Sequence, residues 1–151
     1  MIAIILDTNI YDRLERDDET VAMVNALIAC GAVEILKPRQ VADELSKRPN
    51  PLPDLFPTRV IGHSVGRAGI ICAGDFLGNG AVYDEHKGKS RKDADAFIVD
   101  VCSWVADWFV TEDNRCFARF PTGTRCTPLR FQAFCERLVQ IKKETEEQKK
   151  G

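Results

Sequence analysis

No C-x-x-C pair occurs in this chain of 151 residues, and it holds only 2 histidines, so the usual thiolate and imidazole signatures of zinc and redox centres are missing. No apolar run approaches the ~18 residues that a membrane-spanning helix needs. The start shows no basic segment ahead of an apolar one, which argues against a secretory leader. A net charge of −2 provides no strong field of one sign to draw in a polyanion, so any nucleic-acid contact would rest on local basic patches. The 6 cysteines fall mostly among apolar neighbours, as in Ile28-Ala29-Cys30 and Phe134-Cys135, where a thiol behaves as a small buried hydrophobe. The expectation is a reduced, cytoplasmic protein without a membrane partner.

What is present is an ordinary globular composition, 44% hydrophobic and 29% charged, at a length suited to one domain with its own core. Ile2, Ala3, Ile4, Ile5 and Leu6 read as a strand covered on both faces, the pattern of a parallel sheet. Val21, Val24, Leu27 and Ile28 recur at helical spacing over 19–30, with Gly31 placed to end that helix. Residues 33–36 are strand-like, and Pro38 suits the first turn of a helix running to Arg48. Three prolines in 50–57 mark a loop. A helix over 64–77 is expected from Val65, Gly69, Cys72 and Phe76, although each interior glycine costs about 1 kcal/mol relative to alanine.

Asp93 fits as the N-cap of an apolar helix ending near Ala106, and residues 108–111 form the next strand. A helical turn from Asn114, a small strand over 125–127 and a last helix opened by Thr127-Pro128 follow. That helix buries Phe131, Phe134, Cys135, Leu138 and Ile141. The domain is expected to span 1–141, with the charged tail 142–151 fraying. Strands alternating with helices predict an α/β fold, three layers deep, around a mostly parallel sheet.

The first strand ends in Asp7, followed at once by Thr8 and Asn9. An acid there can be a helix N-cap or simply the point where the strand meets solvent. It gains interest because other acids share its edge. In an open parallel sheet, ligands sit outside the carboxyl ends of the strands. Asp113 follows the strand at 108–111, and right-handed crossovers place it on the same edge as Asp7. Asp95 stands in the first turn of the helix leading into that strand, and Glu44 lies within the second helix. If the acids converge, each pair about 4 Å apart repels by roughly 4 kcal/mol at an effective dielectric of 20, so such a cluster protonates, spreads or holds a cation. Oxygen ligands favour Mg²⁺ or Mn²⁺, and such ions between carboxylates are a common apparatus for phosphodiester hydrolysis.

Asp93 competes with Asp95 and is better placed as a cap. Asp43 and Glu44 point about 100° apart, so only one can face the crevice. Glu112 reads as a surface residue, and Asp12, Asp17 and Asp18 as an exposed helix start. The loop KGKSRKD carries Lys87, Lys89, Arg91 and Lys92 just ahead of Asp95. It is either a solvated charge run or a place to hold a phosphate backbone, with Arg115 and Arg119 near the same edge. His63 and His86 read as polar surface or capping groups, Trp104 and Trp108 as core.

The stretches LDTNIYDRL, QVADELSKR, KDADAFIVD and WFVTEDNR, in this order, resemble the signature of PIN-domain ribonucleases. The resemblance covers nearly the whole chain, although each motif alone is short. It implies a compact α/β metal-dependent nuclease whose ligands fall on Asp7, Glu44, Asp95 and Asp113. It also implies that Asn9 and Thr111 orient those carboxylates. Arg115 stands where many members carry a further acid, which puts a fuller second metal site in question. Small single-domain members are most often toxins of bacterial toxin–antitoxin pairs, so the resemblance implies an RNA substrate, an antitoxin partner and a homodimer. An RNA-processing enzyme would look the same. The rival readings are a Mg²⁺-dependent phosphotransfer domain with Asp7 as acceptor, which lacks the second acid where Asn9 stands, and a noncatalytic interaction module.

Overall fold

The computed structural model describes residues 1–48, 55–61, 63–65, 76–78, 105–118, 120, 123 and 125–151, with the backbone alone at 40, 63–65 and 76–78. Strand β1 (Ile2–Leu6) forms where the apolar, β-branched run predicted it, and Ile4, Ile5 and Leu6 are fully buried because both faces of the strand are covered. Helix α1 (Thr8–Glu15) follows directly and buries Ile10, Tyr11 and Leu14. Helix α2 (Asp18–Ala29) is capped by Asp17, which accepts from the Thr20 backbone N–H at 3.1 Å and from its hydroxyl at 2.7 Å. It ends as the sequence indicates. Gly31 takes φ +78, and the turn closes through Gly31 N–H to Ile28 O and Ala32 N–H to Leu27 O, both 3.0 Å. Ala32 O then accepts from Ile2 N–H at 2.9 Å, tying the turn to the start of β1.

Strand β2 (Val33–Pro38) runs into helix α3 (Arg39–Ser46), and strand β3 (Arg59–Ile61) lies beyond it. Strands β4 (His63–Val65) and β5 (Phe76–Gly78) pair in parallel as a separate sheet. Strand β6 (Trp108–Val110), helix α4 (Asn114–Ala118), strand β7 (Thr127–Leu129) and helix α5 (Phe131–Lys150) complete the described elements. The main sheet has the order β3-β2-β1-β6-β7 and every pairing in it is parallel. From β1 the chain moves outward through β2 to β3, then returns to the other side of β1. Right-handed crossovers therefore put α4 on the face opposite α1 to α3, while α5 packs against α2, giving three layers. The core lies between, with Phe109, Phe134 and Leu138 fully buried.

Several expectations are corrected. The helix over 64–77 is replaced at both of its described ends by strands β4 and β5; three glycines within that span disfavoured helix, while Val65 and Phe76 suit strands. The strand near 125–127 sits two residues later, so Thr127-Pro128 belongs to β7 and does not open the last helix. Proline is tolerated there because β7 is an edge strand and needs no second ladder of N–H donors. Pro38 ends β2 and occupies the N-cap position of α3, and that helix stops at Ser46, short of Arg48. Cys30 is exposed where a buried thiol was expected, because it caps the end of α2. The charged tail, expected to fray, is helical to Lys150, with Gln140 donating to Glu144 at 2.9 Å and the Thr145 hydroxyl to Ile141 O at 2.8 Å. Val105 ends the predicted helix over 93–106 in helical conformation, and the remainder of that helix lies outside the described residues, as do Trp104, Cys72 and Cys102. Trp108 is core, as expected. Among the described residues no helix is long and apolar enough to cross a membrane.

Candidate metal centre at the sheet's switch point

Between β1 and β6 the strand order reverses direction, and in a parallel sheet this leaves a crevice just beyond the carboxyl ends of the two strands. Two chain segments enter it. Past β1 comes Asp7, whose backbone N–H still completes the sheet by donating to Val110 O at 2.9 Å. Past β6 come Thr111, Glu112 and Asp113, with Thr111 N–H donating to Leu129 O at 3.0 Å.

Asp7 is the N-cap of α1, so the structural reading of an acid after a strand is correct. It is also more than a cap. Its Oδ1 accepts from the Thr8 backbone N–H at 2.8 Å, and its Oδ2 from Asn9 Nδ2 at 3.2 Å and from the Thr111 hydroxyl at 2.7 Å. The same Thr111 oxygen accepts from Asp113 N–H at 3.0 Å, and Asn9 Oδ1 from Glu112 N–H at 3.3 Å. Asp113 opens α4, its Oδ1 accepting from Arg115 N–H at 2.8 Å. Thr111 and Asn9 thus each bridge the two segments, and the shared network orders the Asp7 carboxylate and the backbone of Asp113.

The electrostatic setting of Asp7 is unusual within this protein. It is the one buried acid among the described residues, 7% exposed, and all its partners are neutral donors. Four other acids have cations: Asp12 pairs with Arg48, Glu34 with Arg59 at 3.0 Å, Asp107 with Arg125 at 2.8 Å, and Glu112 with Arg13 at 3.6 Å. Burying a carboxylate is costly unless something compensates its charge. The hydrogen bonds do part of this: Oδ1 of Asp7 accepts from the Thr8 N–H and, at 3.5 Å, its hydroxyl, and Oδ2 from two donors, so neutral groups take up its lone pairs without cancelling its charge, while Oδ2 of Asp113 accepts no hydrogen bond among the described residues. The donors are all oxygen, which suits a hard divalent ion such as Mg²⁺ or Mn²⁺.

Of the remaining predicted ligands only Glu44 is described. It is exposed on α3, whose buried face is set by Val41, and among the described residues it makes no hydrogen bond to Asp7, Thr111 or Asp113. Asp43 is exposed as well. Asp95, Asp93, Lys87, Lys89, Arg91, Lys92, Arg119 and His86 lie outside the described residues, and His63 is described by its backbone alone. Among the described residues no group of three or more Asp, Glu, His or Cys side chains is gathered closely enough to hold a metal ion. Arg115 is exposed on α4. Burial pushes the Cys126 thiol up to about 12 and also raises Cys135.

Two residues had been misjudged or missed. Glu112, expected at the surface, is half-buried and caps α5, its Oε1 accepting from Phe131 N–H at 3.0 Å. Arg130 was not singled out, because the misplaced β7 put it inside a helix. An arginine standing just after a strand, where a Ser, Thr or Asp cap would be usual, was the available signal. The molecule is therefore a three-layer α/β protein in which the buried Asp7 and Thr111 are linked to the half-buried Asp113 at the switch point. No family model, curated protein or solved structure matches the chain.

Proposed function

We propose that this chain is a Mg²⁺- or Mn²⁺-dependent endoribonuclease that hydrolyses RNA phosphodiester bonds, acting in the cytoplasm. The observation that carries the reading is the buried Asp7, which has no cation beside it among the described residues and is joined through Thr111 to Asp113 at the switch point. The resemblance of LDTNIYDRL and WFVTEDNR to PIN-domain motifs falls on these same residues. In this reading Asp7 and Asp113 hold the ion, with Glu44 and Asp95 as the further acids. A bound divalent ion supplies Lewis acidity to the scissile phosphate and lowers the pKa of the attacking water. Thr111 and Asn9 keep the Asp7 oxygens aimed, so that no reorganisation is needed when the substrate arrives. Lys89, Arg91, Lys92 and Arg115 would hold the phosphate backbone.

The biological setting follows from the resemblance: a toxin of a toxin–antitoxin pair, restrained by an antitoxin protein and able to form a homodimer, or else an RNA-processing nuclease. The phosphotransfer alternative has less support, since among the described residues none of the groups bonded to Asp7 is a lysine. Incubating the purified protein with RNA and Mn²⁺, beside Asp7→Asn and an EDTA control, tests the proposal. Cleavage that needs both the ion and Asp7 supports it. Cleavage retained in Asp7→Asn rejects it, and a stable phosphoryl adduct on Asp7 would establish the alternative.

A further inference from the structure

Asp113 has its own amide tied to Thr111, but the direction of its side chain also depends on the residues on either side of it. Both of those are held by one arginine. Arg130 Nη1 donates to Glu112 O at 2.9 Å, and Nη2 donates to Asn114 Oδ1 at 2.6 Å. The guanidinium lies over the Phe117 ring, 4.5 Å from its centroid, which presses the same group against α4. Register explains how it gets there: Val110 pairs with Leu129, so the residues that follow, Thr111 and Arg130, leave the sheet side by side. Arg130 makes no side-chain cap for its own helix. That function is taken by Glu112, which reaches back to Phe131 N–H and lies between Arg13 and Arg130.

We propose that Arg130 is a positioning residue for Asp113, clamping Glu112 and Asn114 so that the intervening carboxylate is held toward Asp7. Arg130 is not a phosphate contact of its own. Both terminal nitrogens of its fork are engaged by the protein and one face is stacked, so the planar bidentate geometry that favours phosphate is already used. Lysine in its place keeps the charge and most of the stem but cannot bridge two acceptors on opposite sides of the loop. The functional consequence rests on the metal-site reading above.

The experiment compares wild type, Arg130→Lys and Asn114→Ala by Mn²⁺ titration, following free Mn²⁺ by electron paramagnetic resonance, and then by RNA cleavage. Melting temperatures are recorded alongside. Arg130→Lys is expected to weaken Mn²⁺ binding about ten- to a hundredfold, as loss of a group that orients a ligand does elsewhere. The Mn²⁺ needed for half-maximal cleavage should rise by the same factor, while KM for RNA at saturating Mn²⁺ stays within about twofold of wild type. Asn114→Ala removes one of the two acceptors and should move Mn²⁺ binding in the same direction by less. Wild-type Mn²⁺ affinity in both variants overturns the inference, as does a raised KM with a shallower salt dependence, which would make Arg130 a phosphate contact. If Asp7→Asn still abolishes cleavage in that case, the nuclease reading survives its loss. Wild-type protein that binds Mn²⁺ but leaves RNA intact rejects the nuclease reading, and the Mn²⁺ titrations still decide the role of Arg130. Protein that binds no Mn²⁺ overturns both.

Discussion

Asp7 and Asp107 stand at opposite ends of the same two neighbouring strands. At the amino end, Asp107 precedes β6, accepts from Ala3 N–H at 2.8 Å and pairs with Arg125 Nε at 2.8 Å. At the carboxyl end, Asp7 follows β1 and, among the described residues, accepts only from neutral groups. The first acid is half-buried, and an arginine reaches it from solvent, so its charge is answered from within the chain. The second is buried beneath the turns that follow the strands, where an arginine would itself have to be desolvated. Neutral donors orient Asp7 without neutralising it. The amino end is therefore a finished structural joint, and the carboxyl end retains capacity for a cation from outside.

Exchanging each acid for its amide gives the largest expected contrast. Asp7→Asn should lower Mn²⁺-dependent RNA cleavage by about a thousandfold or more, because an ion whose electrostatic stabilisation amounts to several kcal/mol loses a ligand. Asp107→Asn should leave cleavage within about twofold. Equal losses in the two variants would mean that the contrast reflects folding and not chemistry, and melting curves would show it.

Next in size is Thr111→Val, which keeps the shape and removes the hydroxyl that joins Asp7 to Asp113. Leaving Asp113 N–H without its acceptor and Asp7 without its shortest donor should destabilise the protein by about 1–3 kcal/mol in denaturant unfolding. Cleavage should fall about ten- to a hundredfold, with a matching rise in the Mn²⁺ requirement. Unchanged Mn²⁺ dependence would show that the network is a fold element only.

Asp107→Asn should in turn cost about 1 kcal/mol of stability, a modest value because Arg125 is largely exposed and its ion pair is screened. The pH dependence has a definite sign. The hydrogen bond from Arg125, aided by the Ala3 N–H, holds the Asp107 carboxyl below its ordinary value of 3.8. Its stabilisation is therefore fully present above that value and is lost as the pH falls through the lower folded-state value. In acid unfolding, wild type and Asp107→Asn should differ at neutral pH and converge in strong acid. A difference that grows toward low pH would contradict the assignment.

The smallest effect concerns a polar group satisfied in neither manner. Among the described residues the buried hydroxyl of Tyr11 has no hydrogen-bond partner, and burial drives its pKa upward. Tyr11→Phe should be neutral or stabilising by up to about 1 kcal/mol. Clear destabilisation in thermal unfolding would reveal a partner for the hydroxyl.

Where local chemistry was distinctive, the sequence was readable. β1 announced itself as a continuous apolar run, α2 by its spacing and by Gly31, and Asp7 and Asp113 by standing just past strands. Reading failed where propensity was ambiguous. The spacing of Val65, Gly69, Cys72 and Phe76 suggested a helix over 64–77 where strands lie at the described ends, and Thr127-Pro128 looked like a helix start although an edge strand accommodates it. That shift hid Arg130. Glu112 was misjudged for another reason: its partners are the start of α5 and Arg13, neither near it in the chain.

Taken alone, the sequence determined β1, α2 and β2, though not α1, and that acids stand where strands end, because backbone preference, capping and apolar period act over a few residues. Tertiary structure decided that β6 returns beside β1, so that the Thr111 hydroxyl meets Asp7 at 2.7 Å across 104 positions of chain. It also decided that β7 delivers Arg130 to both flanks of Asp113. Strand order and register set those encounters, and no local pattern carries them, because a hydrogen bond is specified only when both of its distant ends have been placed.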